Sequence, residues 1–247
     1  MQNIITLDNV CKNYKTKKAL SNVCLQIQQG ELFGLLGVNG AGKTTLIKIL
    51  CGLSKKTSGT VTINNFDLDR DVNQIKRIID ISPQETAIAN NLTVKENLEF
   101  FANIYNDTKT INSANHTNVI DEVIETFSLH EVLSQKAKTL SGGYKRRLSI
   151  AIALISQPKI LLLDEPTLGL DVFARRELWN IIKKLRHNIT IILTSHYLEE
   201  IENLCDRIAI LSDGILLHTG SINEIKQLTN ADNFEEAFIK LVEAKNE

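Results

Sequence analysis

The chain is poor in proline, cysteine and aromatic residues: 3 prolines, 4 cysteines and 5% Phe, Trp and Tyr in 247 residues. Pro83, Pro158 and Pro166 each fall at a boundary between segments, and no internal repeat or low-complexity linker breaks the chain. Cys11, Cys24, Cys51 and Cys205 form no C-x-x-C pair, and the Cys and His spacing fits no zinc site. They read as reduced thiols, mostly filling the core. No apolar run approaches the about 18 residues that mark a membrane span. The densest runs, Leu148–Ile155 and Ile160–Leu163, have core length. The opening MQNIITLDNV lacks the basic and apolar regions of a signal peptide. Neither charge sign dominates: 28 Lys and Arg stand against 29 Asp and Glu, for a net charge of −1. The basic excess usual for a protein that binds nucleic-acid backbone is missing, so no nucleic-acid partner is expected. A soluble chain is expected, and any membrane span would come from another chain.

What is present is an ordinary globular composition, 43% hydrophobic and 23% charged. That excludes a disordered chain, a collagen and a coiled-coil rod. A chain this long buries roughly 70–75% of its unfolded surface and needs no metal or disulfide staple. Val23, Leu25 and Ile27 alternate with polar residues, as do Val61 and Ile63 after the turn signal Ser58-Gly59; both read as half-buried strands. Leu32–Leu36 is a short apolar run ending in glycine, the pattern of a buried parallel strand. The period then changes. Thr93 and Glu96 form a capping box before Leu98, Phe101 and Tyr105, and Val119, Val123, Ile124 and Phe127 make a second helical stripe. Residues 107–118 between them are polar and read as a loop. Strand, helix and strand follow at 160–163, 178–185 and 189–193, implying a parallel sheet covered by helices. Residues 207–217 read as a hairpin about Ser212-Asp213-Gly214, and 234–242 as a closing helix.

Gly37-Val38-Asn39-Gly40-Ala41-Gly42-Lys43-Thr44 fits the phosphate-binding loop G-x-x-x-x-G-K-[ST]. Backbone N–H groups of a tight loop can ring triphosphate oxygens where no Cβ blocks the approach, and the following helix adds its N-terminal dipole. Lys43 is expected to reach the β- and γ-phosphates and Thr44 to ligate Mg²⁺. Ile160–Leu163 runs into Asp164 and Glu165. Asp164 is expected to hold Mg²⁺, and Glu165 to accept a proton from the attacking water. Ser141 is a good N-cap, and Gly142 and Gly143 would expose N–H groups at a helix start, a second anion site in a chain with one P-loop. Lys145, Arg146 and Arg147 read as a solvated or interface face, Trp179 as core, and His116, His130, His187 and His218 as surface.

Leu140-Ser141-Gly142-Gly143, shortly before an acid-tipped strand and after a P-loop, resembles the signature of ATP-binding cassette (ABC) ATPases. The resemblance covers nearly the whole chain. It implies that Tyr14 stacks on adenine, that Gln84 after Ser82-Pro83 is the Q-loop glutamine sensing Mg²⁺ or the lytic water, that Leu168–Asp171 is the D-loop, and that His196 is the switch histidine. It implies ATP binding by Gly37, Asn39, Gly40, Ala41, Gly42, Lys43, Thr44 and Thr45, and across a head-to-tail dimer by Ser141, Gly142 and Gly143 of the other copy. The implied fold is α/β: a P-loop NTPase with a RecA-like core, an N-terminal antiparallel β portion and a helical insertion near 84–155, all within one nucleotide-binding domain over 1–247.

The chain departs from many family members at Tyr144-Lys145-Arg146-Arg147, where Gln commonly follows LSGG. With Leu92–Asn97 and Phe234–Phe238, this is similar to exporter-type subunits. The expected function is Mg²⁺-dependent ATP hydrolysis that drives a separate transmembrane permease subunit, beside a second nucleotide-binding subunit, at the cytoplasmic face of the membrane. An importer subunit, an ABC ATPase acting on DNA or ribosomes, and an idle regulatory module are the rivals. The 97 positions from Lys43 to Leu140 carry no sustained heptads, and Glu165 and His196 are both present.

Overall fold

Burial on one face explains the first strands of the chain. In the computed structural model, which describes residues 2–107 and 116–244, β1 (Asn3–Tyr14) and β2 (Lys17–Gln28) pair antiparallel. Ile5 faces Ile27, Leu7 faces Leu25 and Val10 faces Val23, all buried. The step from Leu7 to Val10 contains an extra residue: Asn9 is left-handed (φ 49°), and both ladders of β1 shift register there. The bulge moves β1 out of strict alternation. β4 (Ser58–Ile63) continues the four-stranded antiparallel sheet β2-β1-β4-β5, with β5 spanning Phe66–Asp67. Ser58-Gly59, expected to be a turn, instead opens β4 opposite the β1 irregularity, with Ser58 paired to Cys11.

The chain divides into two compact units, Met1–Lys76 with Arg186–Glu247, and Arg77–Leu185. Besides its antiparallel sheet, the first unit carries β3 (Leu32–Leu36), buried throughout, parallel to both β8 (Thr190–Ser195) and β9 (Arg207–Ser212). β8 begins one residue later than expected and extends two further, to Ser195. β9 and β10 (Ile215–Gly220) form the expected hairpin, with Asp213 and Gly214 both left-handed (φ 48° and 77°), as a two-residue turn between twisted strands demands. Its helices are α1 (Lys43–Leu50), the single turn α2 (Val72–Ile75), α7 (Leu198–Leu204), α8 (Ile222–Thr229) and α9 (Phe234–Glu243). Phe234, 1% exposed, packs in a cluster with Leu36, Ile201, Ile208, Ile210 and Ile225. Removing such a ring typically costs about 3–5 kcal/mol.

The second unit contains α3 (Val94–Asp107), α4 (His116–Thr126), α5 (Gly142–Ile155) and α6 (Val172–Leu185), with β6 (Ile79–Ser82) parallel to β7 (Ile160–Asp164). The Thr93–Glu96 capping box forms: Glu96 N donates to Thr93 Oγ1 at 3.1 Å, and Thr93 N donates to Glu96 Oε2 at 2.7 Å. Of the polar stretch 107–118, Asp107 ends α3 and residues 116–118 open α4; the loop expected between them, and the side chain of His116, lie outside the described residues. Trp179 is buried, as expected. The cysteines are less uniform than expected: Cys51 is buried, Cys11 and Cys205 are half-buried, and Cys24 is exposed on β2. His130 and His187 are exposed, whereas His218 on β10 is half-buried. Among the described residues, no helix is long and apolar enough to cross a membrane.

Candidate functional site

In the first unit the site is a matter of backbone. β3 ends at Leu36, and its partner in the parallel register is Ser195 of β8. Gly37 and His196 therefore leave neighbouring strands at the same edge. The loop Gly37–Gly42 turns back on itself, with Ala41 N donating to Val38 O at 3.1 Å. It is pinned to the β9–β10 turn, where Gly214 N donates to Ala41 O at 2.9 Å. Gly42 caps α1 at φ 111°, and a Cβ there would stand 2.8 Å from the Ala19 carbonyl. A Cβ on Gly37 would stand 2.4 Å from the Leu211 carbonyl. Only glycine fits either place. Gly40 and Asn39 are exposed at the tip, and Ala41 is buried beneath it.

Lys43, 5% exposed, folds into the loop, its Nζ donating to Gly37 O at 2.6 Å. No acidic residue occupies the first turn of α1, where a carboxylate would compete with an incoming anion. Thr44 is exposed and Thr45 half-buried beside it. Tyr14, 44% exposed, ends β1; its Oη lies 3.3 Å from Ser54 Oγ, and the Lys12 ammonium sits 4.5 Å from its ring centre. Lys12 is in turn fixed by a 2.6 Å bond to Lys55 O. Nothing in the sequence reading pointed to Lys12 or Ser54. His196 is half-buried, its ring 4.1 Å from that of Tyr197.

In the second unit the site is a matter of buried side chains. Ser82 of β6 registers with Leu163 of β7, so Gln84 and the pair Asp164-Glu165 also leave neighbouring strands at one edge. Asp164 and Glu165 are buried, 4% and 7% exposed. Glu165 adopts φ 50°, a left-handed conformation that costs a non-glycine residue about 1–3 kcal/mol and marks an over-determined position. The Gln84 side chain is exposed. Ser141 caps α5, accepting from Tyr144 N at 3.4 Å, with Ser141 and Gly142 exposed and Gly143 half-buried. A Cβ on Gly143 would come within 3.1 Å of Ala174 Cβ. Asp171 caps α6, accepting from Phe173 N and Ala174 N at 2.9 and 3.0 Å.

Of the stretch 145–147, expected to be a solvated or interface face, Lys145 is half-buried, and Arg146 and Arg147 are not solvated. Both are buried. Arg146 donates to the carbonyls of Pro83 and Gln84, while Arg147 pairs with Glu177 and lies 4.9 Å over the Tyr144 ring. The signal was in the sequence: from Leu148 to Ile155 the helix is apolar apart from Ser149, and a helix that apolar is buried on most of its sides. A second network was missed altogether. Asp80 on β6 accepts from Tyr105 Oη at 2.7 Å and Ser156 Oγ at 2.9 Å. Burial pushes the Asp80 carboxyl above the ordinary range, and the donors from Tyr105, Ile81 and Ser156 oppose that shift.

Thr44 in the first unit, and Gln84 and Asp164 in the second, each carry an oxygen of the hard kind that Mg²⁺ prefers. Among the described residues, no group of three His, Cys, Asp or Glu could cage a metal. The loop, with two glycines that admit no Cβ and an ammonium folded into it, fits a polyphosphate.

The ABC transporter family model matches residues 20–168. ABC transporter A family member 12 of Arabidopsis thaliana is 38% identical, over 97% of this chain and 28% of that protein. The chain thus spans less than a third of that relative's length. The linearmycin resistance ATP-binding protein LnrL of Bacillus subtilis (strain 168) is 36% identical, over 90% of this chain and 70% of that protein. Among solved structures, a dimeric ATP-binding cassette in a post-hydrolysis state, bound to ADP and Pi, shares the fold at a TM-score of 0.77 with 29% identity, over 88% of this chain and 98% of that one. The α/β P-loop fold expected from the motifs is the fold of these cassettes, and the chain belongs to the ABC transporter family.

Proposed function

We propose that the chain is the ATP-binding and ATP-hydrolysing subunit of an ABC transporter, one nucleotide-binding domain over 1–247 with its helical subdomain at about 84–155. The observation that carries the reading is the loop Gly37–Thr44, whose close backbone packing excludes side chains and whose lysine points into its own ring. The loop N–H groups and Lys43 bind the phosphates, with Asn39 and Thr45 flanking them. Tyr14 stacks on the base; Lys12 and Ser54 hold the ring ready for it. Thr44, Asp164 and Gln84 would hold Mg²⁺, which would neutralise negative charge developing on the phosphates. Glu165 accepts the proton of the attacking water, and His196 contacts the γ-phosphate. The balance is ATP plus water to ADP plus phosphate.

Ser141, Gly142 and Gly143 cover the ATP of a second copy or close homologue, head to tail, two ATP per dimer. The dimeric cassette bound to ADP and Pi supports this reading. Closure and reopening drive a separate transmembrane permease, with the chain peripheral at the cytoplasmic face. Export is the direction we favour, in line with LnrL, a resistance protein by name.

Glu165→Gln tests the chemistry. The variant is expected to bind ATP but hydrolyse it about 10²–10⁴-fold more slowly, the usual share of a general base. With Mg²⁺ and ATP it should elute as a dimer in size-exclusion chromatography. Turnover at the wild-type rate refutes the role.

A further inference from the structure

The chain leaving β6 is gripped at Pro83 and Gln84 by a buried arginine. Arg146, on the second turn of α5 and 4% exposed, donates Nη1 to the Pro83 carbonyl at 2.7 Å and Nη2 to the Gln84 carbonyl at 2.6 Å. A guanidinium is a rigid planar fork, so two successive carbonyls on its two prongs fix the direction of that backbone as well as its distance. Lysine offers one ammonium on a flexible stem and cannot hold both carbonyls in that geometry. What Arg146 fixes is the main chain of Gln84; the Gln84 side chain itself is exposed. Burying a charge is a poor means of gaining stability, since an apolar residue of similar volume often does as well or better. A buried guanidinium spent on two loop carbonyls is better explained by geometry than by packing.

The other end of the same helix turn gives that geometry a use. Arg146 lies three residues beyond Gly143, and α5 is capped by Ser141. One helix therefore carries the Leu140–Gly143 amides at its start and the clamp on Gln84 in its second turn.

We infer that Arg146 is a positioning residue for Gln84: it couples the Gln84 backbone rigidly to the helix that begins at Ser141, so that Gln84 and the LSGG amides shift together. The inference rests on the reading of Gln84 given above, and its test separates the two. On the full chain, backbone ¹⁵N order parameters of residues 84–86 are measured for wild type, Arg146→Lys and Arg146→Gln without nucleotide. Both variants are expected to lower them from the rigid range, about 0.85, toward about 0.6 or below, while residues 149–155 in α5 stay rigid. Should the lysine variant fail to fold, the glutamine variant carries the measurement. Wild-type order parameters at 84–86 in both variants overturn the inference.

Steady-state kinetics supply the second arm. Arg146→Lys should lower kcat for ATP about tenfold with little change in KM, and adding it to Gln84→Ala should cost nothing more, because residues acting through one another are not additive. A full additive loss in the double variant also overturns the inference. If Gln84→Ala alone turns over at the wild-type rate, the role of Gln84 fails, while the order parameters at 84–86 still decide whether Arg146 holds it.

Discussion

The two units carry their candidate residues by different physical means. In the first, the phosphate loop is shaped by main chain: glycines where no Cβ fits, and a peptide hydrogen bond from the β9–β10 turn. In the second, Gln84 and Asp80 are held by buried side chains reaching far along the chain. Arg146 bonds residues 62 and 63 positions away, and Ser156 reaches Asp80 across 76. The contrast predicts where each region is fragile. Backbone geometry tolerates change in neighbouring side chains but not a Cβ at the wrong glycine. A side-chain network fails when a single donor is removed.

The largest effect that can break this comparison concerns how the two kinds of site cooperate. Dimers are assembled from differently tagged copies carrying Lys43→Ala and Ser141→Arg. If LSGG of one copy serves the loop of the other, the two changes on separate copies damage the same site and leave one intact. On the same copy they damage both, and hydrolysis should drop about 10²-fold or more below the separated arrangement. Equal activity of the two arrangements rejects the shared site.

A middle-sized effect probes the second unit alone. Tyr105→Phe removes a donor from half-buried Asp80 and should cost about 1–3 kcal/mol at neutral pH by urea denaturation. Because burial raises the Asp80 carboxyl, the folded state favours the protonated acid. The stability this group contributes is greatest below the ordinary aspartate range and is lost as pH rises through the raised value. The Tyr105 hydroxyl offsets part of that loss by donating to the ionised form. The cost of Tyr105→Phe should therefore shrink as pH falls toward about 4. A cost independent of pH would show that Asp80 is not the partner that matters.

The smallest effect sharpens the comparison by testing a feature both units share. Ser221 and Glu224 close a capping box on α8, as Thr93 and Glu96 do on α3. Ser221→Ala and Thr93→Ala should each cost about 0.5–2 kcal/mol. N–H and O–H donors from Ser221 and Thr93 hold the Glu224 and Glu96 carboxyls below the usual glutamate range. That support is present above the ordinary glutamate value and fades as pH falls through the lowered ones. Thermal melts of the two variants at neutral and acid pH provide the check; a cap whose cost stays constant on acidification is not held by its glutamate.

The comparison also explains what was legible beforehand. The phosphate loop could be read because its constraint is local: three glycines and a lysine at fixed spacing are the geometry. The hairpin at Asp213-Gly214 and the cap at Thr93 were readable for the same reason. Strand β1 was harder, because the bulge at Asn9 shifts Val10 out of phase with Ile5 and Leu7, and a period of two no longer describes it. α7 and α8 were not foreseen as helices; with 7 and 8 residues each, they present too few turns for a periodic stripe. The burial of Arg146 and Arg147 was not legible because charge argues for solvent or an interface unless the partner is known, and the partners Pro83, Gln84 and Glu177 lie 30 to 63 positions away.

The sequence by itself determined the phosphate loop, the acid-tipped strand, the LSGG cap and the α/β alternation, because each follows from spacing within one turn or one strand, where covalent geometry fixes which side chains share a face. Only the tertiary structure decided that Gly214 pins the loop, that Lys12 backs Tyr14, that Asp80 shares a network with Tyr105 and Ser156, and that Arg146 grips Gln84. Those contacts depend on which strands pair and in what register, and pairing is chosen by burial of the whole core rather than by any residue's neighbours in the chain.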